Sequence, residues 1–229
     1  MERAPISTIT RLDTTAGGSA ALDQAQRVLR NTYFLLSATL LFSAACAGAS
    51  MAFNLPYPGM LVTMVGYFGL LFAVQRLRNS AWSIPLVFAL TGFMGYTLGP
   101  ILSHYMRAIP NGGSVVMTAL GVTGVTFLAL SAYALVTRRN FRFMAGFLFV
   151  GSIGAFLLGL VAIFFHLPAL SLAVSGLFVL VSSGMILWQT SEIVNGGETN
   201  YVLATVTLYI SIYNLFLSLL QLLGGSSRN

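Results

Sequence analysis

Long apolar stretches separated by short polar joints make up most of this chain from residue 32 onwards. A run of about 20 apolar residues is long enough to cross the hydrocarbon core of a bilayer as an α-helix. Because the joints are short, neighbouring helices are predicted to run antiparallel. The pattern therefore predicts an all-α integral membrane protein with seven transmembrane helices. These predicted spans are residues 32–53, 60–74, 85–105, 115–136, 143–165, 170–188 and 201–223.

The last apolar stretch differs from the others because its polar residues recur at spacings of four, three, four and three. These spacings bring all of them to one face of an α-helix, and unpaired polar groups in lipid cost several kcal/mol each. The seventh helix is therefore predicted to lie inside the protein, with other spans around it. The polar stripe serves either as hydrogen-bonding contacts between helices or as the wall of a water-filled or ion-permeable interior. Its members are Thr207, Ser211, Asn214, Ser218 and Gln221.

Composition supports a membrane protein and argues against a nucleic-acid partner. The chain is 57% hydrophobic and 7% charged, whereas a soluble domain carries about 25% charged residues. The net charge is +6, but the eleven basic residues, all arginine, are spread thinly along the chain and form no patch for nucleic acid. The partner that composition indicates is the lipid bilayer.

The distribution of arginine predicts the orientation of the chain in the membrane. Nine arginines lie on the same side as the N-terminus, while Arg107 and Arg228 lie on the other side. The positive-inside rule then places the N-terminus in the cytoplasm and the C-terminus on the outer side. Residues 1–30 are polar and are predicted to form a flexible cytoplasmic N-terminal tail, which precedes a seven-helix domain over residues 31–229. The charged residues that make this tail a handle for a partner are Arg3, Arg11, Asp13, Asp23 and Arg27.

Residues that would support catalysis or metal binding do not occur together in the sequence. No charged residue lies deep within a predicted span, and no catalytic Ser-His-Asp set, metal-ligand cluster or phosphate-binding glycine loop has workable spacing. The run Ser182-Ser183-Gly184 is interpreted as a small packing face. We therefore expect a protein that is not an enzyme and has no cofactor.

Several glycines are spaced so that they would give helices small faces for close approach. One pair lies on the third span directly before Pro100, which removes one backbone hydrogen bond from that helix. The pairs are Gly95 with Gly99, Gly121 with Gly124, and Gly151 with Gly154.

Four segments of the chain together resemble the Bax-inhibitor (TMBIM) family. Within this family they are most similar to the proteobacterial YccA-type branch, and the likeness extends over essentially everything from Val28 onwards. The segments are LRNTYFLL at 29–36, TGFMGYTLGPIL at 91–102, GGETNY at 196–201 and LYISIYNLF at 208–216.

The resemblance implies a fold, a location and a partner. Family members have seven helices, with the seventh central and surrounded by the other six. Members of the YccA-type branch lie in the bacterial inner membrane, which would make the outer side the periplasm. They associate with the ATP-dependent membrane protease FtsH, possibly together with its associated membrane regulators. They modulate it in an inhibitor-like manner, as poor substrates engaged through the cytoplasmic N-terminal tail.

The resemblance also implies an alternative function, a pH-sensitive calcium or cation leak. Leak members carry one aspartate at the end of the sixth helix and one in the seventh, near an arginine of the second helix. Here the two aspartate positions are Gln189 and Ser211, and the arginine corresponds to either Arg76 or Arg78. Neither replacement titrates near neutral pH, so the residues weaken the leak hypothesis on chemical grounds.

Overall fold

Seven α-helices make up the described part of the protein. The computed structural model describes the backbone of residues 6–226 and the side chains of residues 23–225. No β-strand occurs between residues 6 and 226. The helices, in chain order, are α1 (Ile6–Ala52), α2 (Met60–Arg76), α3 (Ser83–Ala108), α4 (Gly112–Thr137), α5 (Met144–Phe164), α6 (Pro168–Val194) and α7 (Tyr201–Ser226). The prediction of an all-helical chain is confirmed.

Six of these helices are long and apolar enough to cross a membrane. They are α3 to α7 and the part of α1 from Asp23 to Ala52, whereas α2 is apolar but has only 17 residues. Large apolar side chains such as Phe34, Leu128 and Phe147 are exposed on the outer surface, as expected of a surface that faces lipid. Length, composition and surface agree on an all-α integral membrane protein.

The first helix begins earlier than the first predicted span. The sequence suggests an irregular segment over the first half of residues 1–30, but the backbone is helical from Ile6. Ala25 and Val28, one helical turn apart, are buried, so the last residues of the predicted tail pack onto the helical bundle. Residues 1–5 lie outside the described part of the chain, and the flexibility of the tail stays a prediction.

The seventh helix has the largest buried share of the six long helices. It packs extensively against α6, α4 and α1 and to a lesser extent against α3, while α2 packs chiefly against α3 and α5 against α6. Tyr209 on α7 is 1% exposed, and its hydroxyl lies 2.6 Å from the Ser43 hydroxyl oxygen on α1. An uncharged hydrogen bond therefore joins α1 to α7 inside the bundle.

The first and third helices approach each other closely along a face of small residues. A Cβ atom added at Gly95 would collide with the backbone carbonyl oxygen of Ser43, and one at Gly99 would collide with Ser50. The Ser50 hydroxyl also donates a 3.0 Å hydrogen bond to the carbonyl oxygen of Tyr96. That carbonyl lies four residues before Pro100, which has no N–H to offer it. The predicted packing role of this glycine pair is confirmed.

Candidate functional site

The polar stripe of α7 divides into two parts with different surroundings. Towards the C-terminal end, the Gln221 side chain accepts a 2.8 Å hydrogen bond from Ser175 on α6 and also bonds Ser171. This part joins two helices, which is one of the two roles that the sequence left open. Nearer the middle of α7, Ser211 and Asn214 line a cavity instead.

The remaining two stripe residues, Thr207 and Ser218, lie on the same face of α7. Ser218 is buried, and the carbonyl oxygen of Thr207 accepts a 2.8 Å hydrogen bond from the Ser211 hydroxyl. A serine that bonds its own preceding turn satisfies its donor without a partner on another helix. Of the five stripe residues, Gln221 therefore makes the clearest contact between helices.

The cavity has a volume of about 560 Å³ and is lined by residues of α2, α3, α5, α6 and α7. Its walls are mostly aromatic rings and methionine side chains, including Tyr67, Phe68, Phe93, Phe156 and Met185. Apolar pockets of 300–1,000 Å³ with a few polar groups are typical of sites for small organic molecules. Besides the hydroxyls of Tyr57, Tyr67 and Tyr213, the polar residues that line this cavity are Thr63, Thr97, Ser152, Ser182, Ser211 and Asn214.

Hydrogen bonds within single helices occupy the hydroxyl protons of several of these lining residues. The Ser152 hydroxyl donates to the carbonyl oxygen of Leu148 at 2.8 Å, and the Thr63 hydroxyl donates to the carbonyl oxygen of Gly59 at 2.9 Å. The side-chain amide of Asn214, in contrast, makes no hydrogen bond with the described residues. No charged residue lines the cavity within the described part of the chain, so its polar side chains act there as uncharged hydrogen-bonding groups.

The positions that correspond to the family's aspartates do not form a titratable pair. Ser211 lines the cavity, whereas Gln189 on α6 is 2% exposed and its amide nitrogen has no hydrogen-bonding partner among the described residues. Arg76 and Arg78 lie around a separate depression at the α2–α3 joint and do not line the cavity. Of these four residues, only Ser211 lines the cavity.

Five arginines mark one end of the bundle, called here the arginine-rich end, and hydrogen bonds tie its joints together. The Arg142 side chain forms a 3.0 Å ion pair with Glu192, and the Ser191 hydroxyl donates to the carbonyl oxygen of Arg139 at 2.7 Å. The Asn200 amide donates to the carbonyl oxygen of Arg78 at 3.3 Å. These contacts join the α4–α5 joint to the C-terminal end of α6 and the α2–α3 joint to the α6–α7 joint. The five are Arg76, Arg78, Arg138, Arg139 and Arg142.

Asn200 also begins the seventh helix. Its side-chain oxygen accepts hydrogen bonds from the backbone N–H groups of Val202 at 3.0 Å and Leu203 at 3.2 Å. An asparagine at this position satisfies N–H groups that have no partner inside the helix. The same residue thus caps α7 and holds it against the α2–α3 joint.

The tail residues proposed as a handle are described only in part. Asp23 and Arg27 are exposed on α1, on the side opposite to the buried Ala25 and Val28. Arg11 and Asp13 belong to the helical backbone of α1 without described side chains, and Arg3 lies outside the described residues. Their role as a handle stays a prediction.

Sequence reasoning missed the cavity itself. Tyr67, Phe68 and Phe156 stand in apolar runs, where they are indistinguishable from side chains that face lipid. The sequence predicts a packing role for Ser182, but this residue lines the cavity, while the neighbouring Gly184 does pack closely against Leu148. The only sequence signal for the cavity was the polar stripe, which indicated an interior face without showing what lies opposite.

Comparison with known proteins gives a consistent result over almost the whole chain. The family model described as "Inhibitor of apoptosis-promoting Bax1" matches residues 25–229. The chain is 49% identical over 220 residues to the modulator of FtsH protease YccA of Escherichia coli K12, covering 96% of this chain and 99% of that protein. An equally similar protein of another Escherichia coli strain is described as the inner membrane protein YccA. An uncharacterized protein of Pseudomonas aeruginosa is 53% identical over 197 residues, covering 86% of this chain and 88% of that protein.

Proposed function

The chain belongs to the Bax-inhibitor family, and on this premise we propose that it binds the membrane protease FtsH and modulates it, in the bacterial inner membrane. The observation that carries the proposal is its near-full-length similarity to the Escherichia coli modulator of that protease. The resemblance to inner-membrane relatives supports the location. The proposed role is that of a binding partner and not of an enzyme.

We further propose that the N-terminus lies in the cytoplasm and the C-terminus in the periplasm. The positive-inside rule concerns arginines in short joints near the ends of spans. The α2–α3 and α4–α5 joints at the arginine-rich end hold Arg78, Arg138, Arg139 and Arg142, while the opposite end holds Arg107. This asymmetry supports a cytoplasmic arginine-rich end, on the side where an ATP-driven protease would meet the tail.

The tail would give the protease a segment to bind, while the helix that follows it resists extraction from the membrane. A pulling force applied to the N-terminus acts on α1 before it acts on the other helices. That helix is held by its close approach to Gly95 and Gly99 of α3 and by the buried bond between Ser43 and Tyr209. In a bilayer the hydrophobic effect does not drive helices together, because lipid tails are as apolar as the helix surfaces. Close packing and hydrogen bonds of this kind therefore hold a membrane bundle together. These contacts support inhibition by a poor substrate.

The same family premise supports α7 as a central helix with the other six around it. Three helices, α1, α4 and α6, pack extensively against α7, and α3 contacts it less. The helices α2 and α5 face it across the cavity that Ser211 and Asn214 line. In this arrangement α1, the helix connected to the tail, is joined to the centre of the bundle. Extraction of α1 would then disturb the whole bundle and not only its rim.

Co-purification with FtsH in mild detergent tests the proposal. We would compare the full chain, a chain lacking residues 2–22, and a chain in which residues 2–22 are present in scrambled order. The deletion ends before Ala25 and Val28, so the buried part of α1 is kept. We expect deletion to abolish binding and to relieve the slowing of FtsH degradation of a second membrane substrate.

The scrambled chain separates two requirements of the tail. Binding by this chain would mean that the protease needs only an accessible segment of sufficient length. Loss of binding would mean that the protease recognises a specific sequence in the tail. Binding that survives deletion would refute engagement through the tail and place the contact on the helices. No binding by the full chain would refute the partnership.

A further inference from the structure

We propose that the cavity between α2, α3, α5, α6 and α7 binds an uncharged lipid, which enters sideways from the bilayer and places one carbonyl or hydroxyl oxygen against Asn214. The occupant would be a long apolar molecule with a single uncharged polar end. This inference concerns the membrane domain alone and does not depend on the protease.

The proposed entrance to the cavity lies between α2 and α5, both of which line it. Each of these helices packs chiefly against a different neighbour, α2 against α3 and α5 against α6. Their aromatic rings meet at Phe68 and Phe156, whose ring centres are 6.1 Å apart with an edge-to-face angle of 85°. Phe68 is 47% exposed and Phe156 is 38% exposed. Two partly exposed aromatic side chains thus stand at the proposed entrance, where a rotation of either ring would admit a lipid chain.

The size and surface of the cavity suit a lipid chain. An apolar cavity of about 150 Å³ accommodates one benzene molecule, so the volume of about 560 Å³ has room for roughly 20 non-hydrogen atoms. Aromatic and methionine side chains such as Phe93, Phe178 and Met185 form most of the wall. Methionine adapts to irregular apolar shapes, and aromatic rings offer large apolar faces.

The polar requirement of the occupant follows from Asn214. Its amide has two donors and one acceptor, and these groups make no hydrogen bond with the described residues, while the neighbouring Ser211 hydroxyl already donates to Thr207. Asn214 lies thirteen residues after the start of α7, about 20 Å along its axis and so near the middle of the helix. An oxygen of the occupant would satisfy this amide at a depth where lipid tails offer no partner.

The absence of charge along the described lining argues for an uncharged occupant. A charged head group near the centre of the bilayer requires an opposite charge or water, because desolvation of an ion is costly. No arginine, histidine, aspartate or glutamate lines the described cavity. A fatty alcohol therefore fits the cavity better than the corresponding ionised fatty acid.

Photo-crosslinking of the full chain in nanodiscs tests the proposal. The probe is hexadecanol with a diazirine in its chain, and the matched probes are the corresponding fatty acid at pH 8 and phosphatidylcholine with the diazirine in one tail. We expect the alcohol to label peptides of α2, α5 and α7 more strongly than peptides of α4. Excess unlabelled hexadecanol should suppress this labelling, and the ionised acid should label the same peptides weakly.

Variants distinguish a site from general contact with lipid. Asn214→Leu should lower labelling by the alcohol roughly three- to tenfold, the change expected for one lost hydrogen bond. Ser182→Phe should lower it by filling the cavity, and Leu128→Phe on the exposed face of α4 should leave it unchanged. Size-exclusion profiles and thermal unfolding establish that each variant is folded.

Two outcomes would overturn the inference. Labelling spread evenly over all lipid-facing helices, unchanged in Asn214→Leu and Ser182→Phe, would mean that the probe reports only the surrounding bilayer. Strong labelling of the cavity by phosphatidylcholine, equal in the parent and in Asn214→Leu, would mean that ordinary lipid tails fill it and that Asn214 selects nothing.

Discussion

Pro100 leaves the carbonyl oxygen of Tyr96 without its usual donor, because proline has no backbone N–H four residues later. In water a solvent molecule would fill this place, but the interior of a membrane bundle requires a donor from the protein. Ser50 on α1 supplies it through a 3.0 Å hydrogen bond. A single hydroxyl on one helix thus compensates for the imino acid on another.

This pairing predicts that the effect of Ser50 depends on residue 100. Ser50→Ala should lower the free energy of unfolding by about 1 kcal/mol in the parent chain, since a buried carbonyl loses its donor. In a Pro100→Ala background the restored N–H can serve Tyr96, so the same change should cost little. A double-mutant cycle measured by unfolding in a detergent mixture gives the coupling energy.

A change elsewhere on α1 serves as the control for this cycle. Ser37 is exposed and bonds the carbonyl oxygen of Tyr33 in its own helix at 2.8 Å. Ser37→Ala should therefore have the same small effect in both backgrounds. An equal loss for Ser50→Ala with and without Pro100 would contradict the compensation.

At the scale of helices, close approach depends on the neighbour and not on glycine spacing alone. Gly95 and Gly99 lie against the backbone of α1 or its serine side chains. At Gly121, Gly124 and Gly154, no atom of a neighbour lies within 4 Å of where a Cβ would stand. The prediction of packing faces was right for α3 and wrong for these three positions, because equal spacing occurs on faces that meet a helix and on faces that meet lipid.

The glycines provide a matched pair of substitutions. Gly95→Ala should destabilise the protein by about 1–3 kcal/mol, since its methyl group would collide with the carbonyl of Ser43. Gly121→Ala should instead stabilise it by about 0.5–1 kcal/mol, because alanine favours the helix and meets open space. Thermal unfolding of both variants in one detergent measures the difference. Shifts of the same sign would show that the α1–α3 contact is looser than described.

The helices were predictable from the sequence, whereas the cavity was not. Apolar runs of sufficient length are a local property, so six of the seven helices begin within a few residues of the predicted spans. The stripe on α7 predicted an interior face, and Gln221 does bond α6. Which part of that face meets a helix and which part meets a cavity depends on where α2 and α5 lie. The positions of α2 and α5 depend on contacts between residues that are far apart in the sequence, and the periodicity of a single segment does not predict such contacts.

For the whole molecule, the proposed orientation makes a prediction about access from each side of the membrane. We would replace Cys46, the single cysteine, by alanine and introduce either Asn140→Cys in the α4–α5 joint or Leu167→Cys in the α5–α6 joint. Both parent side chains are exposed. An impermeant maleimide applied to cells with a permeabilised outer membrane should label the second variant at once and the first only after the inner membrane is broken. The reverse pattern would invert the topology.

The short second helix has a consequence for the lipid around the protein. Its 17 residues rise about 26 Å, whereas the hydrocarbon core of a bilayer is about 30 Å thick. This hydrophobic mismatch must be met by local thinning of the bilayer, by flanking side chains such as Arg76 that reach to the head groups, or by association with another protein. The mismatch lies on the flank of the molecule where the proposed entrance to the cavity lies between α2 and α5. Where the bilayer thins to meet α2, lipid tails would be shorter and more tilted than around the longer helices, so the protein is expected to favour thinner membranes and to perturb lipid order at one side more than at the other.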